Sequence, residues 1–338
     1  MGKKRFLTYI CAAAFFIFAG CSEVQFEEVP QVDPAPKPSE PGGQSSEVVT
    51  ETFVQGAIES ALDVLVVIDN SSSMSEERKK LGQAMQNFTD VLSDVDWQLA
   101  ITTTDVKTNQ AGRRGTLLPY KMNNNKKVIN KQDSNYKDSF LEAVQRPRSN
   151  CSIFSCNSDD EQPMKATILA MEQSDSDSRD LFRNKADIAV LIVSDEDEKS
   201  SGGYSATKPD EVLDTLAEVW GDSKRLRAFA VIVQPGDREC LNSQSSRSYE
   251  GVLINELVER TGGTTASICD NDYAAGLKKI GEQAKELLNY VELLQVPEGE
   301  LDVHFTPQSN TAWRLEGRRI IFDNPPPEGT VIEVSYTK

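Results

Sequence analysis

The segment "ALDVLVVIDNSSSM", residues 61–74, decides the fold of this chain. Residues 61–69 are an almost continuous apolar run, which is typical of a β-strand covered by other elements on both faces. The run ends in Asp69 and three nearby serines, and apolar residues at helical spacing follow over positions 81–92. A buried strand that passes through a polar turn into a helix is the first unit of a parallel α/β sheet.

The same alternation of strand and helix patterns continues downstream. Strand-like runs at 97–105, 186–195 and 227–233 are separated by helical patterns, which predicts a doubly wound, mostly parallel sheet with helices on both faces. Near the C-terminus, short strand-like segments divided by Gly, Asn and Pro predict a small all-β module. We therefore expect four parts: a signal peptide (1–20), a Pro/Glu/Ser-rich tether (21–50), an α/β domain (51–292) and a β module (293–338).

Composition excludes several classes of function. The 338 residues carry 36 Lys+Arg against 53 Asp+Glu, for a formal charge of -17. Binding to nucleic acid relies on clustered cations, so a nucleic-acid partner is not expected. The single histidine, His304, excludes His-based catalytic triads and zinc sites built from several histidines.

The N-terminus is a targeting segment rather than part of the fold. Positive residues 3–5 precede an apolar stretch, 6–18, that is too short for an ordinary transmembrane helix. The "FAGC" that follows resembles the bacterial lipoprotein cleavage box, in which Cys21 becomes the first residue and carries the lipids. An ordinary secretory signal with an incidental cysteine is the alternative. Ser22, by resemblance to enterobacterial sorting, favours a lipid-anchored protein of the outer rather than the inner membrane, outside the cytoplasm.

Four cysteines remain once Cys11 is removed with the signal and Cys21 serves as the anchor. An even number in a disulfide-permissive compartment allows three pairings, and we expect the pairing of nearest neighbours. A zinc site built from all four thiolates is the rival interpretation, although the sequence lacks paired CxxC spacing. The four are Cys151 with Cys156, and Cys240 with Cys269.

Oxygen-bearing side chains gather where the predicted strands end. Asp69, Ser71 and Ser73 alternate in a tight turn, and in parallel sheets ligands collect beyond the carboxyl ends of the strands. Such oxygens suit Mg²⁺. The alternative is a helix N-cap, for which serine is favoured. Asp195 closes a second buried strand in the same way, and Ser158 lies in a polar loop before a helix.

The pair of motifs "DVLVVIDNSSSM" and "VLIVSDEDE" resembles the von Willebrand factor type A domain, over roughly residues 51–292. The resemblance implies a metal-ion-dependent adhesion site. Its third loop normally supplies a threonine, which falls here on Ser158, with Asp159 as the fallback. The usual Thr-Asp-Gly is replaced by Ser194-Asp195-Glu196. The metal ligands that the resemblance implies are Asp69, Ser71, Ser73, Ser158 and Asp195.

The function implied by this resemblance is coordination rather than catalysis. Mg²⁺, or Mn²⁺ or Ca²⁺, would keep one position open for an acidic side chain of a protein partner, as in adhesion. One alternative is an envelope scaffold that uses the metal only for stability. Another is a Mg²⁺-dependent hydrolase of the haloacid dehalogenase type, but Ser71 stands where that chemistry needs a second acid. For the acidic run "SDEDE", residues 194–198, we expect a solvated loop; the alternative is a site for a second cation such as Ca²⁺.

Overall fold

The computed structural model describes residues 48–55, 61–107, 112–145, 161–184, 186–327 and 329–337. The strands are β1 (Val48–Val54), β2 (Ala61–Ile68), β3 (Asp96–Thr103), β4 (Ile129–Asn130), β5 (Ala186–Val193), β6 (Leu226–Ile232), β7 (Thr265–Ser267), β8 (Tyr290–Glu292), β9 (Leu301–Thr306), β10 (Trp313–Glu316), β11 (Arg319–Phe322) and β12 (Val331–Thr337). The helices are α1 (Ser75–Val91), α2 (Tyr136–Gln145), α3 (Pro163–Glu172), α4 (Lys199–Gly202), α5 (Pro209–Trp220), α6 (Arg238–Ser243), α7 (Val252–Arg260) and α8 (Ala274–Glu286).

The centre of the molecule is a six-stranded sheet in the order β4-β3-β2-β5-β6-β7. All neighbouring strands are parallel except β4, which pairs antiparallel with β3. The expected mixed α/β fold with a mostly parallel sheet is therefore confirmed. Strand β3 lies on one side of β2, and the next long strand, β5, lies on the other side. The direction in which successive strands are added to the sheet therefore reverses at β2. Ligand crevices in open α/β sheets lie at such a reversal, beyond the carboxyl ends of the strands.

Helices cover both faces of this sheet, which explains the unbroken apolar run of β2. Val64, Val66 and Ile68 belong to one hydrophobic cluster, and the alternate residues Leu65 and Val67 belong to another. The first cluster includes buried side chains from α1, α2 and α8, and the second includes side chains from α3, α5 and α7. A strand buried on both faces loses the period-two polarity of a half-exposed strand.

The β module contains two three-stranded sheets, β1-β12-β9 and β10-β11-β8, around a third hydrophobic cluster. Strands β9–β12 lie in the C-terminal region where a β module is expected. The boundaries differ, however, at both ends of the α/β segment. Residues 51–54, assigned in advance to the α/β domain, pair with β12, and residues 290–292 pair with β11. The alternating exposure of β1 fits a half-buried strand of an antiparallel sheet.

A disulfide joins Cys240 in α6 to Cys269, which follows β7, with a Sγ–Sγ distance of 1.99 Å. This pairing was expected, and it excludes a zinc site that would use these two thiolates. Cys151 and Cys156 lie outside the described residues, as do Cys21 and the whole signal and tether. Among the helices that the structure describes, none combines the length and the apolar character that crossing a bilayer requires.

Replacement of Gly263 by alanine is expected to destabilise the fold. A Cβ at Gly263, just before β7, would lie 1.9 Å from the Ala228 carbonyl oxygen, which is held in β6. The backbone must then shift, so the free energy of unfolding should fall by about 1–3 kcal/mol or more. Urea denaturation measures the change. Gly203→Ala is the matched control, because the nearest atom to its new Cβ is 3.9 Å away. Equal stability of the two variants would contradict the close packing of Gly263.

Candidate functional site

Parallel pairing of β2 with β5 brings two aspartates to one edge of the sheet. Ile68 pairs with Val193, and the Asp69 amide donates to the Val193 carbonyl at 2.9 Å. Asp69 and Asp195 therefore follow neighbouring strands at their carboxyl ends. Both side chains are buried.

Two serine hydroxyls connect these carboxylates. Asp69 Oδ1 accepts a hydrogen bond from the Ser71 amide at 2.6 Å. The Ser71 and Ser73 hydroxyls are 2.8 Å apart, and Ser73 Oγ donates to Asp195 Oδ1 at 3.3 Å. The four residues that the sequence marks on the first two motifs thus form one continuous group of oxygen atoms.

The serines do not cap the helix that follows them. Helix α1 begins at Ser75, and its N-cap residue, Met74, makes no side-chain capping bond. The N-cap interpretation of this motif is therefore wrong. The turn is instead held by Arg78, whose guanidinium donates to the carbonyl oxygens of Asp69 and Ser71 at 3.3 and 2.8 Å.

Two further serines hold the aspartates from the other side. Ser194 Oγ donates to Asp69 Oδ2 at 2.9 Å, and Ser248 Oγ donates to Asp195 Oδ2 at 2.6 Å. Sequence reasoning missed Ser248. A signal for it exists, because it follows β6, and loops that follow parallel strands meet at the same edge.

The third loop contributes a carboxylate that was not predicted. Ser158 and Asp159 lie outside the described residues. Glu161, two positions before α3, is buried and accepts a hydrogen bond from the Thr104 hydroxyl. It belongs to the same polar loop that the sequence singles out, and the charge of Asp69 acts on it. Glu161 is therefore a third carboxylate near Asp69.

Burial and the charges of neighbouring carboxylates raise the pKa of three acidic side chains here, those of Asp69, Glu161 and Glu196. Burial, followed by the charge of Asp195, raises the pKa of Asp69 to about 6. Burial, followed by the charge of Asp69, raises the pKa of Glu161 well above its ordinary value. Burial also raises the pKa of Glu196 to about 7, with smaller contributions from both aspartates. Carboxylates in contact raise each other's pKa because two nearby negative charges repel.

At the start of β2, another buried aspartate, Asp63, lies beside cationic side chains. Burial raises the pKa of Asp63 to about 6, but its neighbouring charges act in the opposite direction. Arg183 Nε lies 2.7 Å from Asp63 Oδ1, and Lys224 Nζ lies 3.9 Å from Oδ2. Asp63 is thus compensated by cations of the protein, whereas the main charge acting on Asp69 is another carboxylate.

The donor set fits a hard divalent cation only if hydroxyl oxygens take part. In the part of the chain that the structure describes, no three His, Cys, Asp or Glu side chains are grouped so that they could hold a metal ion. A cation here would take serine oxygens beside the aspartates. Carboxylate and hydroxyl oxygens suit Mg²⁺, Mn²⁺ or Ca²⁺ rather than softer metals.

The acidic run 195–198 is not the solvated loop that we expected, since all four side chains are buried. The Asp197 carboxylate accepts hydrogen bonds from two amides in the first turn of α7, those of Leu253 and Ile254. Glu198 accepts from two amides in the first turn of α3, at 2.7 and 3.2 Å. Carboxylates are favoured at helix N-termini because the exposed amides and the helix dipole attract negative charge. The run therefore ties the end of β5 to two helices.

Comparisons with known proteins identify no family. A scan against models of protein families finds no match, and a search of curated proteins finds none either. Two crystal structures of the pilus adhesin SpaC from Lactobacillus rhamnosus GG are similar at 10% identity, with TM-scores of 0.38 and 0.37; each match covers 86% of this chain and 40% or 41% of the adhesin. Proximal thread matrix protein 1 from the mussel byssus matches at 10% identity and a TM-score of 0.39, over 72% of this chain and 51% of that protein. The chain spans about half or less of these proteins, and similarity at this level carries no argument about function.

Burial of Glu198 makes the stability of the protein depend on pH. Burial raises the pKa of Glu198 from an ordinary value of 4.5 to about 8. Between these values the folded state binds more protons than the unfolded state, so stability is full below the lower value and is lost as pH rises through the higher one. In excess EDTA, the free energy of unfolding of the wild type should therefore fall by on the order of a few kcal/mol as the pH rises from 4.5 to about 8.

Glu198→Gln tests this dependence, because glutamine keeps an oxygen acceptor and carries no charge. Its free energy of unfolding, measured with urea at each pH, should change less between pH 5 and pH 8 than that of the wild type. Glu211→Gln is the control, since Glu211 is an exposed residue in the first turn of α5. Parallel pH profiles for wild type and Glu198→Gln would rule out this role of Glu198.

Proposed function

We propose that this chain binds one divalent cation between the carboxyl ends of β2 and β5 and uses it to recruit an acidic side chain of a protein partner. The observation that carries the proposal is the continuous contact from Asp69 through Ser71 and Ser73 to Asp195. Two buried carboxylates are brought together there, and the main neighbouring charge on Asp69 is negative. A cation from solution would relieve the repulsion that this arrangement creates.

In this proposal, Asp69, Ser71, Ser73 and Asp195 hold the cation directly or through water. Ser158, with Asp159 as the fallback, is the candidate from the third loop, by the resemblance to von Willebrand factor type A domains. Ser194 and Ser248 orient the two aspartates by bonding the oxygens that face away from the Ser71–Ser73 link. The bound cation supplies positive charge to an incoming carboxylate. Mg²⁺ fits this role well, because it commonly retains water that an external group can replace.

Recruitment is favoured over hydrolysis by the residues around Asp69. A hydrolase that uses Asp69 as nucleophile needs a second acid as proton donor, and Ser71 occupies the expected place. A serine nucleophile needs a base, yet the single histidine, His304, lies exposed in β9 of the β module. The proposal also includes a lipid anchor at Cys21 that holds the protein outside the cytoplasm, in the outer membrane of a bacterial envelope. The features that support the anchor are those of the sequence.

Asp69→Ala is expected to abolish tight binding of Mn²⁺, used here as a probe for the Mg²⁺ site. Loss of a direct ligand should weaken the affinity by more than the roughly 10–100-fold typical of changes in outer-shell partners. Isothermal titration calorimetry of the full chain measures the affinity. Asp302→Ala is the matched control, because Asp302 is an exposed aspartate in β9. Equal affinity of wild type and Asp69→Ala would reject the assignment of the site.

Recruitment of a carboxylate can be separated from a purely structural use of the metal. A Mn²⁺ ion that keeps an exchangeable water enhances the relaxation of water protons, and a carboxylate that replaces this water reduces the enhancement. We expect acetate to reduce the enhancement in the Mn²⁺-loaded wild type more than chloride does at equal ionic strength. An enhancement that responds identically to acetate and chloride would favour the envelope scaffold, in which the metal contributes only to stability.

A further inference from the structure

Three exposed apolar side chains lie on the two chain segments next to the candidate metal site. Tyr204 follows β5, and Tyr249 and Val252 follow β6, so all three are on the segments that leave the carboxyl edge of the sheet. Their exposed fractions are 104%, 43% and 52%. Within the described ranges, these two tyrosines are the aromatic members of the set of exposed large hydrophobic side chains. We call Tyr204, Tyr249 and Val252 the apolar rim.

Tyr249 is fixed to the site through its backbone. The Tyr249 amide donates to the Asp195 carbonyl at 2.9 Å, and the residue before it, Ser248, donates its hydroxyl to the Asp195 carboxylate. Consecutive Cα atoms are about 3.8 Å apart, so the Tyr249 side chain starts one residue from a direct contact of Asp195. Tyr249 is therefore a neighbour of the site in space as well as in sequence.

The backbone next to Val252 and the backbone before Tyr204 are both held near Asp197, two positions after Asp195. Val252 is the first residue of α7, whose first-turn amides bond the Asp197 carboxylate. On the other loop, Gly202 packs so closely on Asp197 that a Cβ there would lie 2.7 Å from Oδ2. The Gly202 amide also donates to the Glu198 carbonyl at 2.9 Å. Tyr204 lies two positions beyond this anchored glycine.

These backbone contacts reduce the conformational entropy that is lost when a partner binds to the apolar rim. The loop before Tyr204 passes through left-handed conformations at Lys199 and Ser200, and the Ser200 amide bonds the Glu161 carbonyl at 3.2 Å. A loop whose backbone is held by such bonds loses little conformational freedom when a partner binds. Tyrosine is also among the residues that contribute most to protein interfaces, because it buries a large ring with few rotatable bonds.

Charge determines what kind of segment can lie on this surface. Asp69, Asp195 and Glu161 are buried acidic side chains, so an acidic ligand needs a bound cation to approach them favourably. The rim beside them offers exposed apolar area from Tyr204, Tyr249 and Val252. The chemistry of the occupant therefore combines one carboxylate for the cation with an apolar group for the rim.

We propose that the apolar rim selects partners in which the recruited acidic residue has a large apolar side chain beside it, with the carboxylate at the cation and the apolar side chain on Tyr204, Tyr249 and Val252. This inference rests on the proposed function, since the carboxylate needs the cation. It assigns the choice of partner to residues that do not hold the metal. Partner preference and metal affinity should then respond to different substitutions.

Two acetylated pentapeptide amides serve as probes. One has a single aspartate among glycines, and in the other a tryptophan replaces the glycine before the aspartate. The full chain, kept in a mild detergent and labelled with 3-fluorotyrosine, is titrated with each peptide in Mg²⁺ and followed by fluorine NMR. Tyr204→Phe and Tyr249→Phe assign the two rim signals. We expect the tryptophan peptide to shift these signals and to bind roughly 5- to 10-fold more tightly than the glycine peptide.

Substitution of the rim separates its role from that of the metal. Tyr249→Ser with Val252→Ser should remove the preference for the tryptophan peptide and leave Mn²⁺ affinity unchanged. Leu294→Ser is the control, because Leu294 is an exposed apolar residue that follows β8 in the β module. Equal affinity for the two peptides in the Mg²⁺-loaded wild type, no binding of either peptide, or a preference that persists in EDTA would each overturn the inference while leaving metal binding intact. Loss of Mn²⁺ binding by the wild type would instead refute the proposed function, and this inference with it.

Discussion

The parallel pairing of β2 with β5 is the constraint from which the candidate site follows. It brings Asp69 and Asp195 to the same edge of the sheet, where both are buried and the charge of Asp195 adds to burial in raising the pKa of Asp69. Burying a carboxylate without compensation is costly. At the start of β2, ion pairs with Arg183 and Lys224 compensate the buried charge of Asp63. At the end of β2, Arg78 bonds two carbonyl oxygens of the turn, and serine hydroxyls bond Asp69 and Asp195. The largest neighbouring charge on Asp69 is negative, and in the function that we propose a cation from solution compensates it.

The sheet and its helices could be predicted from sequence because their signals are local. The apolar run of residues 61–69 indicates a strand buried on both faces. The spacing of the apolar residues over 81–92 indicates a helix with one buried face. The extent of the β module could not be predicted in the same way. Strand β1 pairs with β12, which lies at the opposite end of the chain, and no local pattern specifies a partner at that distance. The boundary at 51 was therefore misplaced, although the type of each main element was right.

For the candidate site, sequence reasoning found the residues that end strands and missed those that reach it through tertiary structure. Asp69 and Asp195 follow directly from the rule for parallel strands. The roles of Asp197 and Glu198 do not, because an acidic run normally signals solvation. Only the fold reveals that the first turns of α7 and α3 point their amides at these carboxylates. Ser248 was missed for a similar reason, since its partner, Asp195, follows a different strand, β5.

The pairing of β1 with β12 also has a consequence for the order in which the molecule assembles. The strand that pairs with β1 is β12, so β1 cannot join a sheet until residues 331–337 have been synthesised. The six-stranded sheet has no such requirement, because its strands all lie between these two ends. Chain segments generally fold as units once they are complete. The central sheet can therefore form first, and a nascent chain that stops short of Val331 leaves β1 and β9 without the strand that lies between them.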